Sequence, residues 1–103
     1  MKSVILYAAS LLLANVAIAA APDQAKLKHC TGLSSTANSI MKARQNGVPM
    51  AKLMAVDTGD KEFNDVMAEM VKDAFSKSRY DTDSYKKKAI QEFEDKWFGL
   101  CIS

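Results

Sequence analysis

The stretch KEFNDVMAEMVKDAFSKS, residues Lys61 to Ser78, decides the fold. Its apolar residues Phe63, Val66, Met67, Met70, Val71, Ala74 and Phe75 recur three and four positions apart. That spacing places them on one face of an α-helix and leaves the charged residues on the other. Working back toward the N-terminus, Asp57-Thr58-Gly59-Asp60 supplies a turn. Before it, Met50, Leu53 and Met54 mark one face of a short helix that starts at Pro49 and runs to about Val56. Further back, Leu27, Cys30, Leu33, Ala37, Ile40 and Met41 hold the same period between an Asp23 N-cap and a stop at Gly47. The middle of this helix, Thr31-Gly32-Leu33-Ser34-Ser35-Thr36, has poor helix propensity, so packing must hold it, and Gly32 marks a candidate break.

Beyond Ser78, Arg79-Tyr80-Asp81-Thr82-Asp83 is polar punctuation, and Thr82 or Asp83 can cap the next helix. Ala89, Ile90, Phe93, Trp97, Leu100 and Cys101 line one side of that fourth helix. The spacing therefore predicts an all-α domain, a small four-helix bundle. The 103 residues allow one domain of this kind and no second. With 49% hydrophobic and 25% charged residues, the chain is not of the disordered class. Four Gly and two Pro are too few for a many-stranded sandwich or barrel.

The first residues have a different character. Lys2 is followed from Val4 to Ile18 by an apolar run broken only by Ser10 and Asn15, and then by small residues up to Ala21. This pattern reads as a secretory signal peptide, with Ala17-Ile18-Ala19 as the cleavage signal. Residues 1–19 are assigned to the leader and 20–103 to the single helical domain. The apolar run is shorter than the roughly 20 residues needed to span a bilayer, so no stable membrane anchor is expected after cleavage. No cysteine follows the cleavage site, which disfavours a lipoprotein. The expected location is periplasmic or secreted. Loss of the leader takes one lysine from a net charge of only +2. A domain so near neutrality has no whole-body field for nucleic acid.

Two cysteines in an exported chain most simply form one disulfide. Joining Cys30 to Cys101 closes a loop of about 70 residues, for which chain entropy gives roughly 4 kcal/mol. A reactive thiol pair would want close spacing, which these two lack, although His29 does flank Cys30. Two Cys and one His fall short of the four ligands of a zinc site.

No metal and no cofactor is expected. Met67-x-x-Met70 has copper-binding atoms, but no free His or Cys joins it, and core filling explains the methionines better. An adaptable partner groove is their second reading. His29 is the sole imidazole, and it sits beside a bridged cysteine, which leaves no nucleophilic triad. The glutamate, Asp/Cys and Thr pattern of phage-type lysozymes finds Glu92 and Cys101 without the Thr. The protein is therefore not expected to be an enzyme. Lys86-Lys87-Lys88 can contact an anion, yet Asp83 and Glu92 lie close enough to screen it. Arg44 and Gln45 suit a helix C-terminus, where a fork of donors can lock a free carbonyl or carboxylate.

Trp97 and Phe98 are neighbours on a helix, so their side chains diverge by about 100° and one must lie toward the rim. With Tyr80 and Tyr85 they form the candidate partner-binding patch, because aromatics dominate binding hot spots. The alternative is that Phe98 merely shields the Cys101 end.

The run Ala37-x-x-Ile40-Met41-x-Ala43-Arg44-Gln45-x-Gly47-Val48-x-Met50, with Ala74-Phe75, Arg79-Tyr80, Lys88-Ala89-Ile90-x-Glu92-Phe93 and Cys101, resembles a group of small exported proteins encoded by phages and prophages of Gram-negative bacteria. The likeness covers the chain from Cys30 onward. It implies a periplasmic, helical, singly bridged domain and transfers no active-site residue. Size, export and a single bridge are also similar to the small acid-stress chaperones of the periplasm, from which the cysteine placement departs.

The expected function is binding to a protein partner in the cell envelope, as a phage-encoded modulator of host envelope, lysis or superinfection. A holdase-like chaperone that uses the Met and aromatic surface is the first rival. A cell-wall hydrolase with unrecognised carboxylates is the second. The same surfaces would also serve a homo-oligomer.

Overall fold

The computed structural model describes residues 23–103; residues 1–19, the expected leader, lie outside them. Among the described residues the chain forms four helices and no strand: α1 (Gln24–Gln45), α2 (Met50–Met54), α3 (Lys61–Phe75) and α4 (Asp83–Ile102). The all-α, four-helix expectation holds.

The caps follow from local chemistry. Asp23 accepts a hydrogen bond from Ala25 N at 3.3 Å, Asp60 from Phe63 N at 3.2 Å, and Thr82 from Tyr85 N at 3.4 Å. Each thereby satisfies one of the amides left free in a first helical turn. At the other end of α1, Val48 N donates to Ala43 O at 3.0 Å and Gly47 N to Arg44 O at 3.1 Å. This is a Schellman stop, and it needs the left-handed φ of +85° that Gly47 adopts.

Helix α1 runs unbroken through Gly32. Its hydroxyls explain how so polar a stretch stays helical. Thr31 Oγ1 donates to Leu27 O at 2.8 Å, Ser34 Oγ to Thr31 O at 2.9 Å, and Ser39 Oγ to Ser35 O at 3.2 Å. Each side chain returns to the carbonyls of its own helix rather than competing for another structure. Ser34 can thus be buried, and with Ala37 it leaves room for a close neighbour.

That neighbour is α4, the most extensive partner of α1. The two run antiparallel, as three pairings along their length fix: Cys30 with Cys101, Asn38 with Glu94, and Gln45 with Tyr80. Helix α3 runs parallel to α1, because Phe63 at its start shares a depression with Gly32 and Leu33, while Phe75 at its end lies under Arg44. A parallel pair cannot be joined by a tight turn. Residues 46–60 therefore return along the bundle and carry α2, whose Leu53 packs on the core. The core itself is small: Ala37, Ile40 and Met41 of α1, Met70, Val71 and Ala74 of α3, and Phe93 of α4.

The disulfide joins Cys30, which is fully buried, to Cys101, with Cα atoms 5.5 Å apart and a sequence separation of 71. One expectation at this end fails. Leu100, assigned to the buried side of α4, is 60% exposed. Cys101 must point at Cys30, and the residue before it is turned about 100° away from that direction.

The turn into α3 is built from side chains. Asp57 Oδ1 accepts from Gly59 N and from Asn64 Nδ2, both at 2.9 Å, and Thr58 Oγ1 donates to Asn64 Oδ1 at 2.7 Å. The Gly59 amide, and then the Asn64 side chain, hold the Asp57 carboxyl below the ordinary carboxylate range.

Two outcomes are expected. The Cys30→Ala/Cys101→Ala protein should lose up to about 4 kcal/mol of unfolding free energy in urea, most of what so small a core supplies. Because the folded-state pKa of Asp57 is depressed, its contribution to turn stability is fully present above the usual carboxylate pKa and disappears as pH falls through the depressed value. Carboxyl NMR should find Asp57 titrating below the ordinary carboxylate range, and Asn64→Ala should move it upward.

Candidate functional site

The C-terminal end of α1, the segment 76–82 and the first turns of α4 meet at one end of the bundle. The organising residue is Gln45. Its side chain is fully buried, Nε2 donates to Ser78 O at 2.8 Å, and Oε1 accepts from Tyr80 N at 2.8 Å. Nε2 also lies 3.4 Å from Met41 Sδ. One amide thus pairs with a carbonyl and an N–H of the same extended segment, as the backbone of a neighbouring strand would. Both partners would otherwise be unsatisfied at the edge of the core.

Two arginines complete the junction. Arg79 Nε donates to Gln45 O at 3.2 Å, one of the free carbonyls at the end of α1. Its guanidinium lies so close over Gly47 that a Cβ there would come within 3.0 Å of Nη2. Gly47 is therefore required twice, for its φ and for this approach. Arg44 Nη2 donates to Lys77 O at 3.2 Å, and its guanidinium carbon sits 4.6 Å from the centre of the Phe75 ring. Arg44 Nε is buried without an acceptor, and the ring face is what its charge meets instead. The reading of Arg44 and Gln45 as a helix-end lock on a free carbonyl is thus met by both residues, with Gln45 the more deeply used.

The four aromatic candidates separate into two places. Tyr80 and Tyr85 come together, ring centres 5.9 Å apart and planes inclined by 31°, with Tyr85 58% exposed. Trp97 lies twelve residues further along α4, about 18 Å at 1.5 Å per residue. It is half-buried, packs against the core and stands 6.3 Å from Phe93. Its indole Nε1 donates to Asp73 Oδ2 at 3.0 Å, the oxygen that also accepts from Lys96 Nζ at 2.8 Å. Trp97 thereby ties α4 to α3. Phe98 is also half-buried and lies on the helical stripe of Glu94 and Cys101, the side turned to α1.

Sequence reasoning missed what surrounds the tyrosines. Tyr80, Ala89 and Glu92 are shared by two adjoining clefts of about 270 and 180 Å³. The larger is floored by Met41 and Phe93 and rimmed by Lys77 and Lys96; the smaller is closed by Tyr85 and Lys88. Together they make one groove along the 85-88-89-92-96 stripe of α4. The spacing of Tyr85, Ala89 and Glu92 carries the α4 side in the sequence, but Lys77 and Met41 reach it only through the tertiary fold.

No serine, threonine, cysteine or histidine side chain lines the groove, and His29 is exposed at the opposite end. Among the described residues no cluster of three metal-ligating side chains occurs, and no helix is long and apolar enough to cross a membrane. No family model, curated protein or solved structure matches the chain.

Replacing Gln45 by Ala should orphan Ser78 O and Tyr80 N and cost about 1–3 kcal/mol in urea unfolding. Gln45→Met keeps the volume, and a similar loss in that variant would assign the cost to hydrogen bonding rather than to a cavity. In both variants the Tyr80 and Tyr85 ring signals in NMR should move.

Proposed function

We propose that this is an exported, non-enzymatic helical protein that acts by binding another protein in the cell envelope through the groove at Tyr80 and Tyr85. The observation that carries the reading is the exposed tyrosine pair. Two large rings are held at the surface over an apolar floor, and the segment that bears Tyr80 is anchored by a buried amide. Rigid aromatic side chains at the rim of a preorganised groove are what binding hot spots are made of. The Cys30–Cys101 bridge suits an oxidising compartment, as export would provide. The resemblance to phage- and prophage-encoded exported proteins makes the partner a host envelope component, bound so as to modulate lysis or superinfection.

A holdase-like chaperone is the second reading, and one observation favours it. Met50, Met54 and Val56 are exposed on and just after α2, an adaptable apolar surface separate from the groove.

Affinity capture from a periplasmic extract, with residues 20–103 in the oxidised form as bait, tests the choice. One dominant protein should be retained, bind the purified bait directly, and be lost with Tyr85→Ser, an exposed substitution that leaves the fold intact. Diffuse recovery of many proteins, together with suppressed aggregation of a model substrate that depends on Met50 and Met54, would move the function to the chaperone.

A further inference from the structure

The connection from α1 to α3 is held differently from the one between α3 and α4. In the second, main-chain atoms of Lys77, Ser78 and Tyr80 are engaged by Arg44 and Gln45, and Arg79 bonds back to the end of α1. In the first, the segment Pro49–Val56 has no comparable tie. Its backbone hydrogen bonds, among them Lys52 N to Pro49 O and Ala55 N to Ala51 O, both at 3.1 Å, close within the segment. Among the described residues none reaches another element. Every residue of the segment except Leu53 is exposed, and α2 contains no buried residue.

Spacing puts Met50, Leu53 and Met54 on one face, yet only Leu53 packs on the core; Met50 and Met54 are 37% and 41% exposed. A five-residue helix does not persist by itself in water, so α2 becomes extended chain once Leu53 lifts. The two ends of this strap are fixed independently of it. Val48 N donates to Ala43 O at 3.0 Å, and Asp57 Oδ1 accepts from Asn64 Nδ2 at 2.9 Å. Opening therefore stops at those anchors and leaves α1, α3 and α4 packed.

An endoprotease takes its substrate as extended chain, so a local opening of this kind is what delivers a peptide bond to it. Lys52 is the only charged residue of the strap. The other basic residues between the two cysteines stand in α1, α3 or α4, or in the tethered segment that holds Lys77 and Arg79.

We propose that the Lys52–Leu53 peptide bond is a processing site for an endoprotease that selects a basic residue, and that the cut yields a folded two-chain protein. Water adds across the C–N bond and leaves a carboxylate on Lys52 and an ammonium on Leu53. The fragment that ends at Lys52 carries α1 and Cys30, and the one that starts at Leu53 carries α3, α4 and Cys101, so the disulfide links them. Helix α1 keeps α4, its most extensive partner, and Gln45 keeps Ser78 and Tyr80. The strap is released, because Leu53 now carries a charged chain end that an apolar core does not take back. Cleavage thus uncovers apolar surface over the core and frees Met50 and Met54, while the groove at Tyr80 and Tyr85 is untouched. This site does not depend on the partner-binding reading.

Limited digestion of the oxidised protein with trypsin is the test. The first cut between Cys30 and Cys101 should fall after Lys52. Without reductant the product should gain the mass of one water; with it, two chains should separate, the second starting at Leu53. The cut, unreduced product should keep its helical circular dichroism and raise the fluorescence of anilinonaphthalene sulfonate, a dye that reports exposed apolar surface. In Lys52→Gln, an exposed substitution, cleavage between the cysteines should slow by about tenfold or more, since no other basic site opens locally. A first cut after Lys77 or Arg79, or inside α1, α3 or α4, would overturn the proposal. So would unslowed digestion of Lys52→Gln, loss of helix in the cut but unreduced product, or no gain in dye fluorescence.

Discussion

The structure depends on one buried amide. Gln45 closes the last turn of α1 and takes both a carbonyl and an N–H from the segment that leads into α4. A glutamine with no exposed surface is costly unless its polar atoms are matched, and here the matching fixes the register of two helices. The disulfide does the same at the opposite end. Between them, α1 and α4 are pinned at both ends, and Asn38 and Glu94 meet in the middle at 2.9 Å. Helix α3 then needs only to lay its apolar stripe against a pair already aligned.

This arrangement shows how a seven-residue core can suffice. Hydrophobic burial alone is limited in a domain of this size, and small extracellular domains commonly supplement it with covalent cross-links. Here the supplement is divided. The disulfide limits the unfolded chain, while the Gln45 and Arg79 contacts hold a loop that has little apolar surface of its own. The proposed function uses the second part, since the loop bearing Tyr80 forms one wall of the groove. A rigid wall loses little entropy when a partner binds.

The fold was largely legible in the sequence because its signals are local. The 3.6-residue stripe from Phe63 to Phe75, the caps at Asp23 and Thr82, the stop at Gly47 and the two cysteines each act within a few residues or through a single pairing. The polar centre of α1 was less legible, since propensity is silent on hydroxyls that bond back to their own helix. Leu100 was placed on the wrong side because the apolar stripe of α4 was extended to its end. There the bridge, and not the stripe, sets the rotation.

The site was legible only in part. Tyr80 and Tyr85 are five positions apart in sequence, and their pairing needed just the turn and cap at Thr82. The tie from Trp97 to Asp73 spans 24 positions and joins two helices whose relative rotation no local pattern specifies. Gln45 signals nothing by type, since most glutamines are exposed. Its role exists only once Ser78 and Tyr80 are brought to it.

Amide hydrogen exchange at Tyr80 in the oxidised protein addresses the central claim directly. Tyr80 lies outside every helix and is 40% exposed, and its N–H is engaged by Gln45 Oε1. Exchange as slow as at the helical amides of Met41 or Val71 is the predicted result. Exchange as fast as at the neighbouring Asp81 amide would mean that the buried glutamine does not hold the loop, and the account of both fold and groove would fail.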